Sequence, residues 1–142
     1  MARPALVIDA SVGVKWFSGK DEASLPQALS LRDKHLAGQL LIVVPELFYY
    51  EVANAIVNKK FIPTDTVLSA TAALFALDLH TVSIDSSLME SSIRISRQLN
   101  ITIYDSCYMA IAQSNNCPLI TANSRHQGQV SGCHIIPIEE WK

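Results

Sequence analysis

Three carboxylates, Asp9, Glu51 and Asp105, and one amide, Asn123, are the residues whose types and surroundings could do chemistry. Asp9 closes the apolar run Ala5–Ile8 in Val7-Ile8-Asp9-Ala10-Ser11. Taken singly it reads equally as a helix N-cap, a position that aspartate favours. Glu51 lies between Phe48-Tyr49-Tyr50 and Val52-Ala53, and glutamate is rarely buried in such company without a partner. Glu51, Asn54 and Asn58 recur three and four residues apart, which lines them up as one narrow polar stripe on an apolar helix. A carboxylate there calls for a cation or a solvated cleft, because burying it alone is costly. Asp105, in Ile103-Tyr104-Asp105-Ser106-Cys107, opens a helical segment; capping and ligation are compatible there. Three carboxylates and an amide oxygen are hard ligands, suited to Mg²⁺ or Mn²⁺ and not to zinc.

Other candidates are weaker. His35, His80, His126 and His134 show no metal-ligand spacing. The three cysteines are odd in number and form no CxxC, which suits a reducing cytoplasm. Asp85 and Glu46 fit helix-start roles. Arg125 and His126 follow Asn123 closely enough to meet a phosphate, although loop solvation explains them as well. Trp16 and Phe17 are assigned to the core ahead of a partner surface.

The elements that must position these groups alternate in type. Short apolar runs at Ala5–Ile8, Leu40–Val44, Thr81–Ile84, Pro118–Thr121 and Ile135–Ile138 read as strands. Between them, Ser11–Phe17, Leu25–Ala37, a segment opened by Pro45 and running to Lys59, Thr64–Leu79, Ser87–Leu99 and Asp105–Asn115 read as helices. Gly38 is a C-cap candidate. Ser87-Leu88-Met89-Glu90 reads as a capping box. Such alternation implies a three-layer α/β/α domain with a five-stranded, mostly parallel sheet. In such sheets ligands sit beyond the carboxyl ends of the strands, where Asp9, Asp85 and Asn123 all fall.

With 142 residues, 49% apolar and 17% charged, the chain is expected to fold as one domain over 1–142. A formal charge of −2 argues against a nucleic-acid coat protein, which binds by neutralising many phosphates. The apolar runs are too short for a signal peptide or a membrane span. No glycine-rich phosphate loop occurs.

The motifs Val7-Ile8-Asp9-Ala10-Ser11, Pro45-Glu46-Leu47 leading to Glu51-Val52-Ala53-Asn54, Tyr104-Asp105 and Pro118-Leu119-Ile120-Thr121-Ala122-Asn123 together resemble the PIN domain, in particular the VapC-type toxin ribonucleases of toxin–antitoxin systems. The resemblance implies a Mg²⁺-dependent endoribonuclease, a homodimer, and a cognate antitoxin that holds it inactive. It maps Asp9, Glu51 and Asp105 onto the family's acidic core and catalytic role, and Ser11 and Thr121 onto supporting hydroxyls. The family usually has an aspartate where Asn123 stands, so a second metal should bind more weakly here. The implied chemistry is metal-assisted hydrolysis of an RNA phosphodiester, with Glu51 or Asp105 positioning the attacking water. The rival reading is a non-catalytic PIN-like module acting through dimerisation or antitoxin binding.

Overall fold

The structure is a computed structural model that describes residues 3–17, 19, 22–123 and 132–142. Five strands, β1 (Ala5–Ile8), β2 (Leu41–Pro45), β3 (His80–Val82), β4 (Leu119–Thr121) and β5 (Ile135–Pro137), form one sheet in the order β3-β2-β1-β4-β5. Every pairing is parallel. Parallel neighbours require crossovers, and helices supply them: α1 (Ala10–Gly13) and α2 (Leu25–Leu36) before β2, α3 (Leu47–Val57) and α4 (Thr64–Ala76) before β3, and α5 (Ser86–Leu99) and α6 (Ile103–Ser114) before β4. β1, at the centre, is continuous with the core through Leu6, Val7 and Ile8, as a strand covered on both faces must be.

The strand order reverses at β1. β2 and β3 lie to one side and β4 and β5 to the other. The gap between the carboxyl ends of β1 and β4 is therefore the topological switch point, where open α/β sheets bind ligands.

Two close fits hold the helices that flank this gap. A Cβ on Gly13 would come within 2.5 Å of the Phe48 ring, so only glycine lets α1 lie so close to α3. Trp16 sits in the 3₁₀ turn Val14–Phe17, donates its indole N–H to the Ala28 carbonyl at 2.7 Å, and meets Phe48 edge to face. It is a core residue, as expected. His35 ties the far side together. Its Nδ1 accepts from the Ile42 N–H at 3.1 Å, which leaves Nε2 to donate to the Leu77 carbonyl at 3.0 Å. A side chain thus completes the β2 ladder where β3 has not yet begun.

Several helix starts differ from expectation. Pro45 does not open a helix; it is the last residue of β2, in register with Val82, and α3 starts at Leu47. A strand end tolerates proline because the ladder loses little by its missing N–H. At α5 the cap is Asp85, whose Oδ1 accepts from the Leu88 N–H at 2.7 Å, two residues earlier than the Ser87 box. At α6 the cap is Thr102, whose hydroxyl accepts from the Asp105 N–H at 3.1 Å. Asp105 is therefore in the first turn and not the cap. Gly38 does end α2, at φ +75°, with the Gln39 N–H returning to the Lys34 carbonyl at 2.9 Å.

Candidate active site

The switch point gathers Asp9, Ser11 and Thr121. Asp9 caps α1, so its Oδ1 accepts the Ser11 backbone N–H at 3.1 Å and also the Ser11 hydroxyl. Its Oδ2 accepts the Thr121 hydroxyl at 2.5 Å, a bond from β4 across the gap to β1. Each hydroxyl is itself oriented. Ser11 Oγ accepts the Ala122 N–H at 2.9 Å, and Thr121 Oγ1 accepts the Asn123 N–H at 3.0 Å. With their lone pairs turned to backbone donors, both hydroxyl protons point at the carboxylate. Such N–H to O–H to carboxylate chains strengthen one another. Capping α1 and bonding to the neighbouring strand therefore coexist at Asp9.

Glu51 faces the same region from α3. Phe48, Val52 and Ile56 form the buried stripe of that helix, and Glu51 is half-buried beside it. Its Oε1 accepts the Tyr108 hydroxyl at 2.5 Å. Tyr108 is 2% exposed. Burial raises its pKa far above the usual tyrosine range, and the hydrogen bond to Glu51 and the charges of Glu51 and Asp9 add to the rise. The Tyr108 phenol thus lies within the electrostatic reach of two of the three carboxylates, Glu51 on α3 and Asp9 at the end of β1. Asp105 lies three residues before Tyr108 on α6, at the spacing that places both on one helix face.

Tyr108 is the member that residue-by-residue reading of the chain misses. The available signal was its spacing from Asp105, but a tyrosine within a helix whose residues Ser106 to Ala112 are all buried looks like packing. Asn123 lies where it was expected, two residues past β4, and its backbone belongs to the hydroxyl network. Arg125 and His126 fall outside the described residues. Asp85 is occupied as the α5 cap. Lys15 is buried and pairs with Glu22 at 2.9 Å and with the Ala23 carbonyl at 2.6 Å, which ties the 3₁₀ turn to the approach to α2. Among the described residues, no three His, Cys, Asp or Glu side chains group closely enough to hold a metal ion by themselves.

Residues 6–131 match the PIN domain. The chain belongs to the PIN domain family. No curated protein matches it. Among solved structures, it is similar to a toxin–antitoxin complex from Klebsiella pneumoniae, with 19% identity and a TM-score of 0.66 over 90% of this chain and 94% of that one. It is similar to VapBC2 from Rickettsia felis bound to a promoter DNA fragment, with 15% identity and a TM-score of 0.66 over 94% and 98%. A VapBC-5 toxin–antitoxin structure from Mycobacterium tuberculosis, 20% identical, reaches 0.58 over 94% and 98%. At these identities the likeness is one of fold. The PIN fold accounts for the meeting of Asp9 with Thr121, because its strand order makes β1 and β4 neighbours.

Proposed function

We propose that the chain is a divalent-metal-dependent endoribonuclease of the VapC toxin type, with Asp9, Glu51 and Asp105 as its acidic residues. The observation that carries the reading is the Asp9 carboxylate, held at the β1/β4 switch point by hydroxyls from Ser11 and Thr121. A carboxylate kept so rigidly at the ligand-binding edge of a parallel sheet does more than cap a helix of four residues.

The donor set fits Mg²⁺ or Mn²⁺. These ions prefer oxygen, and Mg²⁺ in particular keeps several waters and takes one or two carboxylates together with substrate phosphates. Asp9 and Asp105 would hold the ion, with Glu51 and Asn123 reaching it directly or through water. Bound there, the cation would supply charge neutralisation of the phosphate and acidify a water. Ser11 and Thr121 keep Asp9 oriented. Glu51 or Asp105 orients the attacking water and accepts its proton. Asn123 brings an oxygen without a charge, so the site would hold one ion firmly and a second more weakly.

The partners that follow are an RNA substrate, a second copy of the chain in a homodimer, and an antitoxin. The similar complexes from Klebsiella pneumoniae and Rickettsia felis support the last of these. A cytoplasmic protein is the matching location; among the described residues no helix is long and apolar enough to cross a membrane.

The deciding experiment is cleavage of a panel of RNAs with Mg²⁺ or Mn²⁺, repeated with EDTA and with Asp9→Asn. Cleavage should vanish under both. Persistence under either would overturn the metal mechanism, and no cleavage of any RNA would favour the non-catalytic module. Asn123→Asp should lower the metal concentration that gives half-maximal rate, as an added charge strengthens ligation. An unchanged requirement would remove Asn123 from the site.

A further inference from the structure

Tyr108 carries a hydroxyl that packing does not need. It is 2% exposed, in a stretch of α6 where every residue from Ser106 to Ala112 is buried. Phenylalanine would fill the same space, and a buried hydroxyl costs stability unless it is partnered. Its partner is Glu51 Oε1, at 2.5 Å.

The bond also joins two helices whose main packing partners, β2 apart, differ. α6 packs chiefly on α5 and on β1, β2 and β4, whereas α3 packs on α1, α4, β2 and the 3₁₀ turn. α3 carries Glu51 and α6 carries Asp105, so this hydrogen bond couples the two helices that carry those acids. Glutamate has three rotatable side-chain bonds and is poorly placed by its own backbone; tyrosine is a stiff ring with two. A buried phenol is therefore able to set where the flexible carboxylate stands.

Resting on the metal-dependent reading above, we propose that Tyr108 is a positioning residue that clamps Glu51 Oε1, fixes the carboxylate relative to Asp105, and so sets the affinity of the site for its divalent cation. Groups behind a metal-binding side chain commonly govern affinity by tenfold to a hundredfold.

The test is Tyr108→Phe, Glu51→Gln and the double variant, each titrated with Mn²⁺ by electron paramagnetic resonance and each melted thermally. Mn²⁺ affinity should fall roughly tenfold to a hundredfold in Tyr108→Phe, with the melting temperature little changed. In the Glu51→Gln background, Tyr108→Phe should cost nothing further, because residues that act through one another are non-additive. On any RNA that the wild type cuts, the Mn²⁺ concentration that gives half-maximal rate should rise by the same factor, while KM for the RNA at saturating Mn²⁺ should hold within about twofold. Wild-type Mn²⁺ affinity in Tyr108→Phe, an additive loss in the double variant, or failure of Tyr108→Phe to fold would assign the phenol to the core and overturn the proposal. Wild-type affinity and cleavage in Glu51→Gln would instead overturn the metal-site reading beneath it.

Discussion

At the scale of single residues, hydroxyls do most of the positioning. Ser11, Thr121 and Tyr108 each donate to a carboxylate, and the first two are held by backbone N–H groups. Thr121→Val keeps the shape of the strand end but removes the donor to Asp9 Oδ2 and strands the Asn123 N–H. It should cost about 1–3 kcal/mol of stability, read from urea melts, and weaken Mn²⁺ binding roughly tenfold or more. A neutral effect on both would mean that the hydroxyl network is incidental. Titration of buried acids predicts the alkaline limit of the fold. Burial raises Tyr108 above its ordinary 10.0, and raises Cys107, Cys117 and Cys133 above 9.0, with Cys133 pushed up to about 11. Below pH 9 these groups are protonated whether the chain is folded or unfolded, and their contribution is intact. Above it the unfolded chain releases protons that the folded chain still binds, so stability falls as pH rises. Urea midpoints should be flat from pH 7 to about 8.5 and drop steadily from about pH 9. A profile flat to pH 11 would contradict the burial of these groups.

At the scale of elements, the decisive fit is α1 against α3. Gly13 lets the helix capped by Asp9 rest on Phe48, one turn before Glu51. Gly13→Ala would drive a methyl into a fully buried ring. The expected cost is about 1–3 kcal/mol, with a parallel loss of RNA cleavage because Asp9 and Glu51 are forced apart. A Gly13→Ala protein with wild-type melting and activity would show that the two helices move independently of the acids they carry. Element types were legible from periodicity, since alternating apolar runs and helical stripes report local burial. Helix starts were less so. At Asp105 and Ser87 the favoured capping residue lay nearby, but the chain used Thr102 and Asp85, whose oxygens reach the required N–H groups. Capping depends on where the preceding strand or loop delivers the backbone, and neighbouring residue types do not record that.

At the scale of the whole molecule, charge and topology set what the cleft can do. The formal charge is −2, so RNA binding should rest on few phosphate contacts. For about two such contacts on a single strand, affinity should fall only roughly sevenfold between 50 and 200 mM salt. A loss of a thousandfold, measured with an inactive Asp9→Asn protein, would mean an extended basic track and a different mode of binding. The sequence by itself determined the α/β class, the strands, and Asp9, Glu51, Asp105 and Asn123 as the groups worth attention, because burial patterns and out-of-place charges are local properties. Only the tertiary structure decided the rest. It set β1 beside β4, joined Thr121 to Asp9 across 112 residues of chain, and put Tyr108 against Glu51 across 57. Those partnerships depend on which strands pair and which helices cover them. Such contacts form between segments distant in the chain, and their energies leave no periodic mark in either one.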